Sequence, residues 1–513
     1  MCGIFFIKGN YNNETLNVAF TKGQSRGPDN SKLEQINNET TLGFHRLSIN
    51  GLDSISNQPI IKHGVYLICN GEIYNYKDLY KDIGINPETN SDCEVILDLY
   101  FLYPVDYFIK LLDGVFSFII YNSIENTYII GRDPFGVRPL FCNTHFNSFA
   151  SELKQLMFLD QQIIQFPPGH YYENNQVIKY HTINNYILPN CSNIKTFSSE
   201  YTFYTDIIRS TLINSVKKRL LTDRPVACLL SGGLDSSLIT SIVCNLCPGQ
   251  VIETYSIGMP GGTDLKYAQI MAKFLNTKHT EIILTEDSFF QAIPEVIKII
   301  ESYDTTTVRA SVGNYLISKY ISEHSDAKVI FNGDGADELT GGYKYFHNSP
   351  SGLEFDSEIH KLLNNIHYFD VLRSDRTVAS CGLEPRTPFL DKTFVNMYLS
   401  IPLYIRRRVG EIEKKLLRDS FKGVIPESVL YRKKEAFSDG VSSTENSWFN
   451  IIQTRVKHIN LPECYHQFNP PQTEEQKYYR YLFEQDYEHQ CQVIPYFWMP
   501  NWSNTTDPSA RTI

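Results

Sequence analysis

The sequence predicts a chain of two parts: a β-rich first part and a longer α/β part built on a doubly wound parallel sheet. The length of 513 residues is the first observation, because a single hydrophobic core does not grow to that size. Strand-like apolar runs alternate with helical patterns between residues 226 and 331, and this order produces a parallel sheet. Before residue 185, period-two alternation and many aromatic residues favour β structure instead.

Composition and charge exclude several classes of protein. Hydrophobic residues make up 42% of the chain and charged residues 20%, which is typical of a globular protein. The formal net charge of −10 argues against a nucleic-acid partner. No apolar run approaches about 18 residues and no basic stretch opens the chain, so neither a membrane span nor a signal peptide is predicted. Eleven cysteines without framework spacing suit a reducing compartment, and a cytoplasmic protein is expected.

The first element is an apolar run, residues 3–7, that directly follows a cysteine in second place. Excision of Met1 would leave Cys2 with a thiol and a free α-amine. That amine, with a pKa near ~8, can take the proton from its own side chain. A Met-Cys start alone leaves a second interpretation open, in which the cysteine is a buried structural residue.

A series of ordered motifs after Cys2 favours the nucleophile. They lie at residues 26–29 (RGPD), 45–50 (HRLSIN), 70–75 (NGEIYN), 91–94 (SDCE), 113–118 (DGVFSF), 131–140 (GRDPFGVRPL) and 151–152 (SE). Together they resemble the class II glutamine amidotransferase domain, an N-terminal-nucleophile hydrolase. The resemblance implies an α+β fold, an αββα sandwich in which helices flank two packed β-sheets.

The resemblance also implies roles for individual residues. Cys2 would attack the glutamine amide, and the Asn70 side-chain amide and the Gly71 N–H would form the oxyanion hole. Two positions depart from the family pattern: Ser25 replaces a common His, and His45 replaces a common Glu or Gln. Neither carries the thiol chemistry, so these departures bear on local packing more than on activity.

Glutamine itself would be held by its two charged ends. Arg46 would pair with the α-carboxylate, while Glu72 and Asp92 would pair with the α-ammonium. The expected glutamine-binding residues are Arg46, Leu47, Ser48, Ile49, Asn50, Asn70, Gly71, Glu72 and Asp92.

A change of composition separates the two parts. The stretch around residues 184–200 is rich in Asn, Ser and Pro, and it predicts a linker. A helical pattern with one apolar face opens near Tyr201. The predicted boundaries are an amidotransferase domain over 2–185, a linker over 186–200 and a second domain over 201–513.

A glycine loop, residues 231–237 (SGGLDSS), lies between a predicted strand and a predicted helix. Free N–H groups and the positive end of the helix dipole would face an anion there. No lysine occupies the Walker position, which argues against a loop that grips a γ-phosphate. The loop resembles that of the ATP pyrophosphatase superfamily, whose members cleave ATP to AMP and pyrophosphate. The alternative is a Gly-Gly turn capped by serines.

A second loop, residues 332–338 (NGDGADE), puts three carboxylates among glycines. The later Gly and Glu positions of a calcium-binding EF-hand loop are missing. Because this loop follows another predicted strand of the sheet, Asp235 and Asp337 are expected to hold Mg²⁺ that bridges the phosphates of ATP.

The motifs of the second part make the resemblance narrower. They lie at residues 231–237, 301–311 (ESYDTTTVRAS), 332–343, 384–392 (EPRTPFLDK), 432–440 (RKKEAFSDG) and 507–511 (DPSAR). All look like the glutamine-hydrolysing asparagine synthetase family, and the match covers essentially the whole chain. The resemblance implies a doubly wound ATP pyrophosphatase domain, ATP and Mg²⁺ as co-substrate and cofactor, and no nucleic-acid or membrane partner. A homodimer is left open.

By the same resemblance Lys434 would neutralise phosphate charge as AMP departs, Asp334 would act in catalysis, and Arg309 would bind aspartate or phosphate. The expected ATP-binding residues are Leu229, Ser231, Gly232, Gly233, Asp235, Ser236, Ile257, Asn332 and Gly333. Asp334 departs from the usual Glu, Asn332 from the usual Ser and Ala436 from a longer polar residue.

The expected reaction is therefore ATP-dependent asparagine synthesis from aspartate and glutamine, through β-aspartyl-AMP. Two rivals remain. An amidotransferase of the β-lactam synthetase group would act on another carboxylate, but that group lacks the N-terminal cysteine. A catalytically degenerate nucleotide-binding relative is supported only by the shorter Asp334.

Overall fold

The computed structural model describes residues 1–159, 161–183, 197–407, 410–462, 467–505 and 508. Residues 186–196 of the predicted linker therefore lie outside the described residues. The tail motif, residues 507–511, also lies outside them, except for Pro508. Residues 197–200, assigned to the linker from sequence, form the first turn of a helix.

Three β-sheets hold the strands of this described part. The strands are β1 Gly3–Lys8, β2 Asn30–Asn37, β3 Thr40–Arg46, β4 Ile60–Lys62, β5 Val65–Ile73, β6 Gly114–Asn122, β7 Thr127–Arg132, β8 Phe141–Asn143, β9 Ser148–Ala150, β10 Ile163–Gln165, β11 His170–Glu173, β12 Gln176–Lys179, β13 Val226–Leu229, β14 Glu253–Gly258, β15 Lys278–Ile283, β16 Val329–Phe331 and β17 Glu384–Arg386.

Helices cover the outer faces of the sheets. They are α1 Asn13–Thr21, α2 Tyr76–Ile83, α3 Glu94–Leu102, α4 Val105–Leu111, α5 Phe197–Lys218, α6 Leu234–Leu246, α7 Thr263–Leu275, α8 Glu286–Gln291, α9 Ile293–Ile300, α10 Thr305–His324, α11 Ala336–Thr340, α12 Gly352–Asn365, α13 Asp370–Ala379, α14 Lys392–Ser400, α15 Leu403–Arg406, α16 Lys415–Ser420, α17 Glu427–Leu430, α18 Phe437–Gly440, α19 Trp448–Val456 and α20 Glu474–Asp486.

The first part is a sandwich of two antiparallel six-stranded sheets, in the orders β10-β8-β9-β1-β3-β2 and β12-β11-β7-β6-β5-β4. Apolar side chains of both sheets, such as Phe6, Ile68, Ile119 and Phe149, form the core between them. Helices α2, α3 and α4 cover the outer face of the second sheet. Helix α1 covers part of the first. The predicted αββα sandwich is confirmed.

The second part contains a five-stranded, fully parallel sheet in the order β15-β14-β13-β16-β17. The predicted doubly wound sheet is confirmed, and its central strands β13 and β16 end at the two glycine-containing loops. Residues 286–300 form two consecutive helices, α8 and α9. The break lies just before Pro294, which has no N–H to donate and fits the first turn of a new helix.

The two parts share a hydrophobic core. Phe5 and Ile7 of β1 belong to the same buried cluster as Ile330 of β16 and Val378 of α13. The strand that carries Cys2 at its start is therefore packed, on its outer face, against the second part of the chain. None of the described helices is both long and apolar enough to span a membrane.

Candidate active sites

Cys2 lies at the start of β1, at the junction of the two parts. Its backbone N–H donates to Asn70 Oδ1 (3.1 Å), and its Sγ lies 3.7 Å from the carbonyl oxygen of Leu47. Arg26 Nε donates to the Cys2 carbonyl (2.9 Å). Burial raises the pKa of the Cys2 thiol to about 11, so the thiol keeps its proton at neutral pH and needs a base.

The predicted oxyanion donors are next to Cys2. Asn70 is fully buried, its Oδ1 is held by the Cys2 N–H, and its Nδ2 has no hydrogen-bond partner among the described residues. A buried amide donor without a partner is costly unless a ligand uses it. Gly71 follows in β5, where a Cβ would lie 2.5 Å from the carbonyl oxygen of Val115. Only glycine lets β5 approach the carbonyl oxygen of Val115 this closely.

The residues predicted to hold the α-ammonium of glutamine form an acidic, buried group. Asn50 Nδ2 donates to Glu72 Oε2 (2.5 Å), and the N–H of Ile73 donates to Asp92 Oδ2 (2.6 Å). Burial raises the pKa of Asp92 to about 6. Burial also raises the pKa of Glu72, with the nearby carboxylates of Glu384 and Asp92 adding to the effect.

The residues predicted to hold the α-carboxylate end lie in the turn after β3. Arg46 is buried, and its Nη1 donates to Asn57 Oδ1 (2.6 Å) and to the carbonyl of Asp53 (2.7 Å). The N–H of Ser48 donates to Asp29 Oδ2 (2.8 Å). These bonds fix the loop, while Leu47 and Ile49 are buried in the core shared by the two parts.

The second site is a cleft at the carboxyl ends of the parallel strands. Most of the predicted ATP-binding residues line it: Leu229, Ser231, Gly233, Asp235, Ser236, Ile257, Asn332 and Gly333. Asp334, Asp337 and Lys434 line it as well. The two loops touch, because a Cβ on Gly333 would lie 2.8 Å from Cβ of Asp235. Gly232 is not at the surface of the cleft. Its φ of +71° and its approach to Ala268 require glycine in the turn.

Two aspartates and two lysines form the charged centre of the cleft. Lys414 Nζ lies 2.6 Å from Asp235 Oδ2 and 2.6 Å from Asp337 Oδ1. Lys434 Nζ lies 2.5 Å from Asp337 Oδ2 and 3.9 Å from Asp235 Oδ2. Burial alone would raise the pKa of Asp337, but the two ammonium groups outweigh it and hold that pKa at about 2. The structure thus brings together residues from loops far apart in sequence.

These aspartates fit a magnesium ion that is shared with a nucleotide. Asp235 Oδ1 is buried and accepts no hydrogen bond from the described residues, so it is free to bind a cation. No group of three His, Cys, Asp or Glu side chains in the described ranges could hold a metal. Mg²⁺ is commonly bound by one or two carboxylates with phosphate and water oxygens completing its shell, which matches this donor set.

Asp334 is held at both carboxylate oxygens. Asn332 Nδ2 donates to Asp334 Oδ2 (2.8 Å), and Arg373 Nη2 donates to Asp334 Oδ1 (2.9 Å). Asn332 Nδ2 also lies 2.7 Å from Ser374 Oγ. Asn332 and Asp334, which both depart from the family pattern, are therefore hydrogen-bond partners. Asn332 is longer than the usual Ser and Asp334 is shorter than the usual Glu, so the side-chain amide still reaches the carboxylate.

Arg309 is the predicted site residue that the structure does not bring to either site. It forms a buried, two-pronged ion pair with Glu475 (2.7 and 2.6 Å) and its guanidinium lies over Phe449. Thr306, Thr307, Ala310 and Asn314 of α10 face the cleft instead. Arg309 directly precedes Ala310, and successive residues of an α-helix point about 100° apart, so Arg309 lies on another side of α10.

Sequence reasoning missed Lys414, Arg418 and Arg373, which line the cleft. Lys414 and Arg418 are four residues apart in a stretch that contains Leu416 and Leu417, and that spacing on one helical face was the available signal. Arg373 lies in a helix with many charged residues, and no sequence pattern singles it out.

Comparisons with known proteins agree with this geometry. A family model described as "Asparagine synthase" matches residues 207–355 and 348–492, and one described as "Glutamine amidotransferase domain" matches residues 1–195. Three curated proteins named asparagine synthetase (glutamine-hydrolyzing) are similar over 100% of this chain and 98% of their own length. They come from Gallus gallus (41% identity over 556 residues), Homo sapiens (41% over 557) and Mus musculus (40% over 556).

Proposed function

This chain belongs to the glutamine-hydrolysing asparagine synthetases, and we infer that it makes L-asparagine from L-aspartate and ATP with L-glutamine as the nitrogen donor. It is a carbon–nitrogen ligase. The products besides asparagine are L-glutamate, AMP and pyrophosphate, and the activated intermediate is β-aspartyl-AMP. We propose a separate site for each half-reaction.

We propose that the first half-reaction occurs at Cys2. Once Met1 is removed, the free α-amine takes the thiol proton and Sγ attacks the side-chain amide of glutamine. The negative charge on the tetrahedral oxygen is stabilised by Asn70 Nδ2 and the Gly71 N–H. Collapse of this intermediate breaks the C–N bond, releases ammonia and leaves a thioester. Water then hydrolyses the thioester to glutamate.

Glutamine is oriented by charge at its other end. Arg46 pairs with the α-carboxylate, and Glu72 and Asp92 pair with the α-ammonium. Leu47, Ser48, Ile49 and Asn50 shape the wall between these two groups. A substrate that is held at both charged ends presents its amide to Cys2 in one orientation, which supplies the proximity that the attack needs.

We propose that the second half-reaction occurs in the cleft of the parallel sheet. The β-carboxylate of aspartate attacks the α-phosphorus of ATP, and the bond from that phosphorus to the bridging oxygen of pyrophosphate breaks. Ammonia then attacks the acyl carbon, and AMP leaves. Adenylation is needed because a carboxylate oxygen is a poor leaving group and AMP is a good one. Asp334, fixed at both oxygens, accepts a proton from the attacking ammonia.

The nucleotide is bound along the loops at the ends of β13 and β16. Leu229 and Ile257 flank the base, and the turn at 231–236 holds phosphate oxygens at the start of α6. We propose Mg²⁺ as the cofactor, with Asp235 and Asp337 as its protein ligands; when bound, it neutralises phosphate charge. Lys434 and Lys414 then balance the charge of the leaving pyrophosphate.

The single observation that carries this proposal is the fully buried Asn70 Nδ2 beside Cys2, which has no hydrogen-bond partner among the residues described, on a chain that also has the Asp–Lys centre. A nucleotide-binding regulator would need only the second of these. We propose that the protein acts in the cytoplasm, without a nucleic-acid or membrane partner. A homodimer is the oligomeric state to be tested.

Product analysis tests the reaction. With aspartate, ATP, Mg²⁺ and glutamine, asparagine, glutamate, AMP and pyrophosphate should form in equal amounts. Aspartate-dependent exchange of labelled pyrophosphate into ATP should occur without glutamine. ADP and phosphate as the nucleotide products, or exchange that does not depend on aspartate, would overturn the proposal.

A further inference from the structure

Helix α13 lies between the two candidate sites, and four consecutive residues in it contact either the loop after β16 or residues that bond the chain at Cys2 and Ile4. Arg373 and Ser374 contact the loop after β16: Arg373 Nη2 lies 2.9 Å from Asp334 Oδ1, and Ser374 Oγ lies 2.7 Å from Asn332 Nδ2. On this side the helix holds the carboxylate and the amide at the end of β16.

The next residue, Asp375, faces the first part of the chain. Its Oδ2 accepts a hydrogen bond from Arg26 Nη1 at 2.7 Å, and its Oδ1 accepts one from Arg26 Nη2 at 3.3 Å. Arg26 Nε in turn donates to the backbone carbonyl of Cys2 (2.9 Å). Both side chains are almost fully buried. A two-pronged ion pair of this kind fixes the plane of the guanidinium, and with it the backbone of the nucleophile.

The fourth residue, Arg376, makes a second link to the same strand. Its Nη1 donates to the carbonyl of Ser151 (2.8 Å). Ser151 is bonded twice to the strand that begins after Cys2: its Oγ accepts from the N–H of Ile4 and its own N–H donates to the carbonyl of Ile4, each at 3.0 Å. Cys2 and Ile4 are thus both held, through one intermediate residue each, by α13.

The two sets of contacts lie on different sides of one rigid element. Residues two apart on an α-helix point about 200° apart, so Arg373 and Asp375 face opposite ways. The turn that ends α13 is also close to the first part, since a Cβ on Gly382 would lie 3.1 Å from Cγ of Pro28. A shift of α13 caused at one site must therefore displace the residues that α13 contacts near the other site.

We propose that α13 couples the two active sites, and that Asp375 is a positioning residue for Cys2 that acts through Arg26. The proposal rests on the function assigned above to each site. A residue of the synthetase half therefore sets the geometry of glutamine hydrolysis. When aspartate and a nucleotide are bound near Asp334, Arg373 transmits the change to α13, and glutamine hydrolysis changes with it.

The test is Asp375→Asn, with Asp375→Glu as the conservative variant and Ser380→Ala as the matched control. Asn keeps the size but loses the charge of Asp375, the nearer carboxylate partner of Arg26 (2.7 Å, against 3.4 Å for Glu152). Ser380 directly follows the last residue of the same helix; its hydroxyl donates to the carbonyl of Thr377 (2.9 Å) and lies 3.7 Å from Sγ of the neighbouring Cys381. Three rates are measured for each protein: glutamine hydrolysis, the same hydrolysis with aspartate and a non-hydrolysable ATP analogue, and synthesis from ammonium.

For Asp375→Asn, kcat of glutamine hydrolysis should fall about 10- to 100-fold, the loss expected when a reacting group is displaced, with KM for glutamine unchanged. In the same variant, synthesis from ammonium should persist, and the effect of aspartate plus the ATP analogue on glutamine hydrolysis should disappear. Asp375→Glu should recover part of the kcat of glutamine hydrolysis. Ser380→Ala should match the wild type in all three.

Two results would overturn the proposal. One is an unchanged kcat in Asp375→Asn, and the other is an equal loss of hydrolysis and ammonium-dependent synthesis, which would make Asp375 a structural residue only. Failure of the assigned function would be visible separately, because the wild-type protein would then lack hydrolysis or synthesis before any substitution is made.

Discussion

Lys434 Nζ and Asp337 Oδ2 lie 2.5 Å apart in the cleft of the parallel sheet, although the two residues are 97 positions apart in the chain. Both side chains are partly buried, and the pKa of Lys434 is raised because the carboxylates around it outweigh the effect of burial. A lysine that is held charged next to two aspartates offers a positive group to the negatively charged oxygens of a polyphosphate. We propose that ATP is cleaved next to this pair.

Asp337→Asn should abolish synthesis and leave glutamine hydrolysis unchanged. The pKa of Asp337 is about 2, so its carboxylate is ionised at any working pH and the amide replacement removes a full charge. Loss of one electrostatic contact of this kind costs about 10² to 10³-fold in kcat. Pyrophosphate exchange and glutaminase assays on the same preparation provide the measurement. Near-normal synthesis at limiting Mg²⁺ would eliminate Asp337 as a ligand.

Asn70→Ala should slow glutamine hydrolysis by about 10² to 10³-fold, the usual loss for one oxyanion donor. The physical reason is that Asn70 Nδ2, which has no hydrogen-bond partner in the described part of the chain, is the donor that we propose for the developing charge. Synthesis from ammonium serves as the control and should stay at the wild-type rate. A loss of less than about threefold in hydrolysis would assign the oxyanion to other donors.

Asn332 and Asp334 should behave as a matched pair. Asp334→Glu alone should lower synthesis from ammonium, because the longer side chain would not fit between Asn332 and Arg373 in their present positions. Asn332→Ser with Asp334→Glu should restore it, since the shorter hydroxyl makes room for the extra methylene. A double-mutant cycle on ammonium-dependent synthesis measures this coupling. Additive effects of the two substitutions would contradict the pairing.

Glutamine binding should weaken as the pH falls through about 6. The pKa of Asp92 is raised to about 6, chiefly by burial, so the carboxylate is charged above that pH and neutral below it. Only the charged form attracts the α-ammonium of glutamine. The measurement is KM for glutamine between pH 5 and 8, which should rise at the acid end. Asp92→Asn should show a high KM at all pH values, and a flat wild-type profile would exclude this role.

Much of this architecture is predictable from sequence because the signals are local. The βα alternation predicts the parallel sheet, and the glycine loops that follow β13 and β16 predict where its ligand lies. Cys2, Asn70 and Gly71 belong to short motifs, and the structure brings them together as expected.

The remaining features depend on contacts that no local pattern encodes. Arg309 follows a serine- and threonine-rich motif, yet the direction of its side chain is set by Glu475, 166 residues away. Lys414 is one lysine among many until the fold places it between two aspartates. The ion pair of Asp375 with Arg26, through which α13 reaches Cys2, spans 349 positions and is visible only when the two parts are packed together.

The most direct test of the whole account is asparagine formation by Cys2→Ala, first with glutamine and then with ammonium at pH 8. The substitution removes the proposed nucleophile and nothing in the synthetase cleft. Glutamine-dependent synthesis should therefore vanish, while ammonium-dependent synthesis should persist near the wild-type rate because free ammonia reaches the acyl-adenylate without a release step. Retained synthesis from glutamine, or loss of synthesis from ammonium in a folded protein, would contradict the assignment of two half-reactions to two sites.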